Sequence, residues 1–282
     1  MAFVYQEYPL ADINDLTSKF DTFLARADVI NNGWSAEPTK PARTVAFTHT
    51  ADDLTCTLAI SSDRFSTVRM GIGYDGGTSF TGTSTLRGPY RTATHTNAGN
   101  LRICCGQNYF VYEIELDTRV YVGSLVKCTP FEGGAAIWRF DPGNINYDYG
   151  GAFIYNGNYT GVFYLALDGS GAGSFTNLNF VNSGNELISL SSRVIPSDLI
   201  ISASLAVSST VVSFGIMFKS FDTNNNLYLS DGSPDFRIAS REFVSHGQDL
   251  VFNGVTYSVF VPKNGQNSGD RNSLAILLNK AG

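Results

Sequence analysis

Charge is what this sequence has least of. Only 16% of its 282 residues are Asp, Glu, Lys or Arg, against roughly 25% in ordinary soluble domains. Such a surface must stay in water through hydroxyls and amides, or face other subunits, where charge is depleted. Positive charge is the scarcer sign, with 19 basic residues against 25 acidic and a net charge of -6. No run of Lys or Arg stands out, which argues against a nucleic-acid partner.

Long apolar runs are missing too, so no membrane span is expected. The first ten residues, Met1 to Leu10, have no basic segment followed by an apolar one and a small-residue cleavage site, so synthesis and folding in a cytosol are the expectation. Cysteine is sparse. Cys56, Cys104, Cys105 and Cys128 form no C-x-x-C pair, and the spacing fits buried free thiols better than a metal or redox site.

Motifs that carry chemistry are absent or incomplete, and no catalytic, cofactor-binding or metal-ligating residues are expected. There is no H-E-x-x-H around His49, His95 or His246, and no G-x-S-x-G elbow. Gly71-Ile-Gly73-Tyr-Asp-Gly76 spells a dinucleotide fingerprint, but strand and turn residues follow it where a helix is needed to meet a pyrophosphate. Asp222-Thr-Asn224-Asn-Asn226 begins like a calcium loop, yet lacks the glycine and the bidentate glutamate that complete one. Glu113 and Glu115 share one face of a strand. That reads as a solvated outer face and not as a pair of carboxylates across a cleft.

What is present is a folded, β-rich chain. Hydrophobic residues make up 43%, aromatics 13%, and there are 28 glycines. One helix is expected over residues 12–31. Ile13, Leu16, Phe20, Phe23, Leu24 and Ala27 recur at steps of three and four. Asp12 is placed to cap its start, and Asn31-Asn32-Gly33 to end it. Beyond about Val45 the period falls to two. Strands are expected at Leu54–Ile60, Val68–Tyr74, Phe110–Leu116, Val120–Val126, Gly161–Leu167, Leu199–Val207, Val211–Phe218 and Leu274–Leu278. Asn253-Gly254 between two apolar runs marks a hairpin with a type I′ turn. Many short strands with Gly, Asn and Ser turns predict a mainly β chain. Its expected form is an antiparallel, jelly-roll-like β-sandwich, as one unit or two over 36–282, preceded by a helical arm at 1–35. Trp138, Phe140, Tyr147, Tyr149, Phe153, Tyr155 and Tyr159 crowd the middle, as core or as a sugar-stacking surface.

Three of these features together resemble tailed-bacteriophage virion proteins of the tail tip or baseplate. They are the helix closed by Asn32-Gly33-Trp34, the strand Val68–Tyr74 running into Asp75-Gly76-Gly77, and the Asn253-Gly254 hairpin with Tyr257-x-Val259-Phe260, then Arg271 and Leu274-Ala-Ile276. They touch about a third of the chain. The resemblance implies a non-enzymatic structural subunit of a virion assembled in the host cytoplasm. Its partners would be other virion proteins and copies of itself, with a host-surface glycan or receptor as a further one. Leu16, Phe20, Phe23 and Trp34 are the subunit-interface candidates. The alternative is a carbohydrate-binding sandwich working as a monomer, on an exposed aromatic platform.

Overall fold

The computed structural model describes residues 3–82, 84–87, 94–117, 119–130, 134–141, 162–166, 172–175, 199–208, 211–221, 227–230, 233–240, 243–260 and 274–280. The chain is mainly β, and its strand pairings are antiparallel throughout the described residues. A five-stranded sheet takes its strands in chain order: β2 (Trp34–Ala36), β3 (Thr44–His49), β4 (Leu54–Ser61), β5 (Arg64–Ile72) and β6 (Ser84–Arg87). A larger sheet begins with β1 (Val4–Leu10), followed across the sheet by β7 (Gly99–Gly106), β8 (Tyr109–Leu116) and β9 (Arg119–Pro130). β10 (Ile137–Asp141), β11 (Val162–Ala166) and β12 (Ala172–Phe175) branch from β9 as consecutive hairpins.

From β9 the order continues through β15 (Leu227–Ser230), β14 (Val211–Phe221) and β16 (Ser233–Ser240) to β19 (Leu274–Asn279), with β13 (Leu199–Ser208) on β14. It ends on β18 (Val255–Phe260) and β17 (Asp249–Phe252). The β17–β18 turn is the expected one, with Asn253 at φ 51° and Gly254 at φ 81°, the two positive φ values a type I′ turn demands. β19 lies between β16 and β18, so the apolar run Leu274–Leu278 is covered by the chain's own strands.

The helix expected over 12–31 is two helices, α1 (Asp15–Leu24) and α2 (Ala27–Asn31). Arg26 breaks them apart with an extended backbone, and its guanidinium grips both Asp28 oxygens at 3.0 and 2.7 Å. Asp12 does not cap α1; its carboxylate accepts the Asn14 N–H at 2.6 Å, one turn earlier. Gly33, at φ 88°, ends α2 as expected, since an L side chain resists that conformation.

Residues 3–35 of the expected arm at 1–35 are woven into the fold. β1 pairs along its whole length with β7, and α1 lies between the two sheets. Phe20 stacks on Phe47 of β3 and Phe110 of β8, while Phe47 and Phe110 meet directly at 4.2 Å. Leu16, Phe20, Phe23 and Trp34 are all fully buried within this single chain. The apolar stripe of α1 therefore packs on the protein's own sheets, which leaves none of those four side chains exposed for a neighbouring subunit. Removing such aromatic area from water is the largest stabilising contribution available to a charge-poor chain. A second, smaller core joins Val211, Ala239, Leu250, Phe252, Tyr257, Val259, Ala275 and Leu277.

Candidate functional site

Both faces of β7 and β8 are largely buried, and the charged side chains of these two strands lie on the second one. Leu101, Ile103, Phe110, Tyr112 and Ile114 face α1 and the five-stranded sheet. Pleating then sends Arg102, Glu113 and Glu115 to the other side. Register aligns Glu7 of β1, Arg102 of β7 and Glu113 of β8 as direct cross-strand neighbours. The turn before β17 brings His246 and Gly247 onto this row.

The result is a compact ion cluster. Arg102 Nε donates to Glu7 Oε1 at 3.0 Å, and its Nη1 lies 2.5 Å from Glu113 Oε1 and 3.5 Å from Glu115 Oε2. His246 Nε2 is 3.4 Å from both Glu113 Oε1 and Glu115 Oε2. Glu113 is fully buried, and its second oxygen, Oε2, has no hydrogen-bond partner. This corrects the solvated face expected for Glu113 and Glu115: only Glu115 keeps part of its side chain in water, at 19%.

Burial pushes the Glu113 carboxyl up to about 7 from its ordinary 4.5; Arg102 and His246 pull it back down, and Glu115 adds to the rise. For Arg102, burial works against the charge, but Glu113, Glu7 and Glu115 outweigh it and the net direction is upward. Tyr5, on the same face of β1 as Glu7, is pushed well up by burial and by the Glu7 charge.

Glu113, Glu115 and His246 present three donor atoms within 4.8 Å of one another, the kind of set that holds a divalent metal. Arg102 Nη1 stands among them, 3.2 Å from His246 Nε2 as well as close to both carboxylates. A guanidinium nitrogen already fills the place a metal cation would take. The arrangement is an ion-pair cluster.

Two further histidine sites tie the sheets together. His49 of β3 lies edge-on to Trp34 and within 5.0 Å of Trp138, with Nδ1 3.1 Å from Asp52 Oδ2. Burial is the main cause holding His49 below its ordinary range. Asp52 also accepts Trp138 Nε1 and Lys127 Nζ at 2.8 Å each. Burial opposes its charge, but these hydrogen bonds win and hold its carboxyl low. His95 is completely buried with Nδ1 2.9 Å from Asp117 Oδ2, and Asn97 donates to the same carboxylate. A polar depression of about 400 Å³ lies nearby, lined by Ser61, Ser62, Asp63, Arg64, Ser66 and Thr94 among others.

The remaining sequence candidates fall as follows. All four cysteines are buried and form no disulfide among the described residues. Gly71, Gly73 and Gly76 run from the end of β5 into a turn closed by the Tyr74–Phe80 bridge, with strand β6 next in the chain. Trp138 and Phe140 are core residues. Asp222–Asn226, Asp168, and the aromatics Tyr147, Tyr149, Phe153, Tyr155 and Tyr159 lie outside the described residues. No helix among the described residues is long and apolar enough to cross a membrane.

Sequence reasoning missed Arg102, Glu7 and His246, which converge from positions far apart in the chain. One signal was available. Val111 shares the face of Glu113, and an apolar β-branched residue there argues against a purely solvated face. No protein-family model matches the chain, and no curated protein matches it in sequence.

Proposed function

We propose that this chain is a structural subunit of a bacteriophage virion, in the tail tip or baseplate, acting through contacts with other virion proteins and copies of itself. The observation that carries the protein-binding part is the end of the large sheet at β17. Among the described residues this strand closes the hydrogen-bonded order. Val251 on it exposes 52% of its surface and Phe243, just before it, 60%. A terminal strand offers unpaired backbone donors and acceptors, and exposed apolar side chains beside it suit a partner better than water.

The internal engagement of the titratable groups supports the same reading. His49, His95 and Glu113 each face a charged partner inside the fold and do not converge on an open cleft. The virion setting rests on the resemblance at Asn32-Gly33-Trp34, Val68–Tyr74 and the Asn253-Gly254 hairpin. A carbohydrate-binding sandwich would need an exposed aromatic platform, and the two mid-chain aromatics of that group among the described residues, Trp138 and Phe140, are buried.

Mass spectrometry of purified virions tests the proposal, comparing the wild-type chain with a Phe243→Asp, Val251→Lys variant. The wild-type chain should be a stoichiometric component of intact particles, and the variant should be depleted from them. Absence of the wild-type chain from particles would overturn the reading. Binding of the isolated monomer to a glycan array would put the carbohydrate-binding reading in its place.

A further inference from the structure

His49, the last residue of β3, sits where the five-stranded sheet meets the large one, in a cage made by both tryptophans of the chain. Trp34 of β2 lies 4.9 Å from its ring and Trp138 of β10 5.0 Å, with the two indoles 5.5 Å apart, centroid to centroid. All three rings are buried. A Cβ added at Gly33 would meet His49 Nε2 at 3.2 Å, so the backbone closes that side of the cage. Three hydrogen bonds around it cross between the sheets. Trp34 Nε1 donates to the Gly106 carbonyl of β7 at 2.8 Å, while Trp138 Nε1 and Lys127 Nζ of β9 both reach Asp52, in the turn that follows β3.

Among the described residues, two charged groups face the ring. Asp52 Oδ2 is 3.1 Å from His49 Nδ1, and Lys127 Nζ is 2.8 Å from the same oxygen. β2 and β10 present uncharged indoles. With the imidazole neutral, the Asp52 and Lys127 charges cancel. A proton on His49 leaves one positive charge in excess in a site largely closed to water, which is costly. Nor does that proton find a free acceptor. Asp52 Oδ2 already takes the Trp138 and Lys127 hydrogen bonds at 2.8 Å each, and a carboxylate oxygen offers about two lone-pair sites. His49 Nδ1, though close, makes no hydrogen bond. A protonated Nδ1 must therefore displace one of the two donors that tie β9 and β10 to the turn after β3.

We propose that His49 is an acid-sensitive pin between the two sheets: the neutral ring fills the cage, and the protonated ring competes with Lys127 and Trp138 for Asp52 and loosens the seam. The sign follows from the surroundings of the ring. Burial, with Lys127, holds His49 below its ordinary 6.5 against the pull of Asp52 and of the Gln107 backbone. The opened seam therefore binds a proton more readily than the closed one. Its contacts are secure above about pH 6.5 and weaken as pH falls below that value. The pin acts within the fold and does not depend on which partner the β17 edge meets.

Hydrogen–deuterium exchange of the full chain tests it, read at peptides covering 44–54 and 119–130 between pH 7.5 and 5 and corrected for the intrinsic pH dependence of exchange. Protection there should fall about threefold or more as pH drops, as expected where the opened form takes up a proton that the closed form refuses. Peptides from β17 and β18 should show no such change. His49→Gln should keep its neutral-pH protection down to pH 5. Should that variant not fold, Lys127→Met, at a partly exposed position, removes the cation that opposes the imidazolium and frees an acceptor site on Asp52, so the acid loss should shrink. A flat wild-type profile, an equal loss at β17 and β18, a His49→Gln variant that keeps the wild-type acid loss, or an undiminished loss in Lys127→Met would each overturn the pin.

Discussion

The two faces of β7 and β8 are both largely buried and held by different physics. One face presents Leu101, Ile103, Phe110, Tyr112 and Ile114 to α1 and the five-stranded sheet. The other presents Arg102 and Glu113 to Glu7 and His246. Burying the first face is favourable at any pH, because apolar area leaves water whatever the protonation state. Burying the second is favourable only while charges are matched. Similar exposure thus conceals an unconditional contact and a conditional one.

The comparison is broken most forcefully by removing the centre of each face. Phe110→Ala should cost about 3–5 kcal/mol of unfolding free energy, nearly the same at pH 6 and pH 8. Arg102→Ala should cost about 3–5 kcal/mol at pH 8, because the buried Glu113 loses its nearest positive partner, and clearly less at pH 6. Urea unfolding at the two pH values separates these cases. An Arg102→Ala loss that ignores pH would erase the distinction between the faces.

A smaller effect of opposite sign is expected from Glu113→Gln. The folded carboxyl is raised from 4.5 to about 7, so the folded state keeps a proton that the unfolded state has already released. Stability is present in full below pH 4.5 and is lost as pH rises through about 7. The amide should therefore gain about 2–3 kcal/mol over wild type at pH 8 and change little at pH 4.5. His49 sharpens the contrast. Its folded value is lowered by burial, so it contributes stability that is lost as pH falls below its ordinary 6.5. His49→Gln should flatten that acid limb in thermal melts and leave the alkaline limb unchanged. The smallest effect is local: Gly254→Ala, at φ 81°, should cost about 1 kcal/mol by straining the β17–β18 turn.

The apolar face was legible in the sequence and the charged face was not, for a physical reason. The stripe Leu16, Phe20, Phe23 needed only the helical period, and Phe110, Tyr112 and Ile114 only the period of two. The Asn253-Gly254 turn was readable because backbone chirality dictates its residues. Glu113 misled because alternation in an antiparallel strand ordinarily means one wet face. Here the turn carrying His246, more than 130 positions away in the chain, covers that face. Long-range cover leaves no local periodic trace, and neither does the partnership of Arg102 with Glu7, 95 positions apart. The break at Arg26 is local instead: the extended backbone there, with its guanidinium on Asp28, interrupts a stripe whose period runs straight through it.

The claim beneath the comparison is that Glu113 holds a proton inside the fold near neutral pH. Carbon-13 NMR of the side-chain carboxyl, assigned by comparison with Glu113→Gln and followed from pH 4 to pH 9, reads that proton directly. A titration midpoint near 7 is the predicted result, and a midpoint near 4.5, the value of a solvated glutamate, would contradict it.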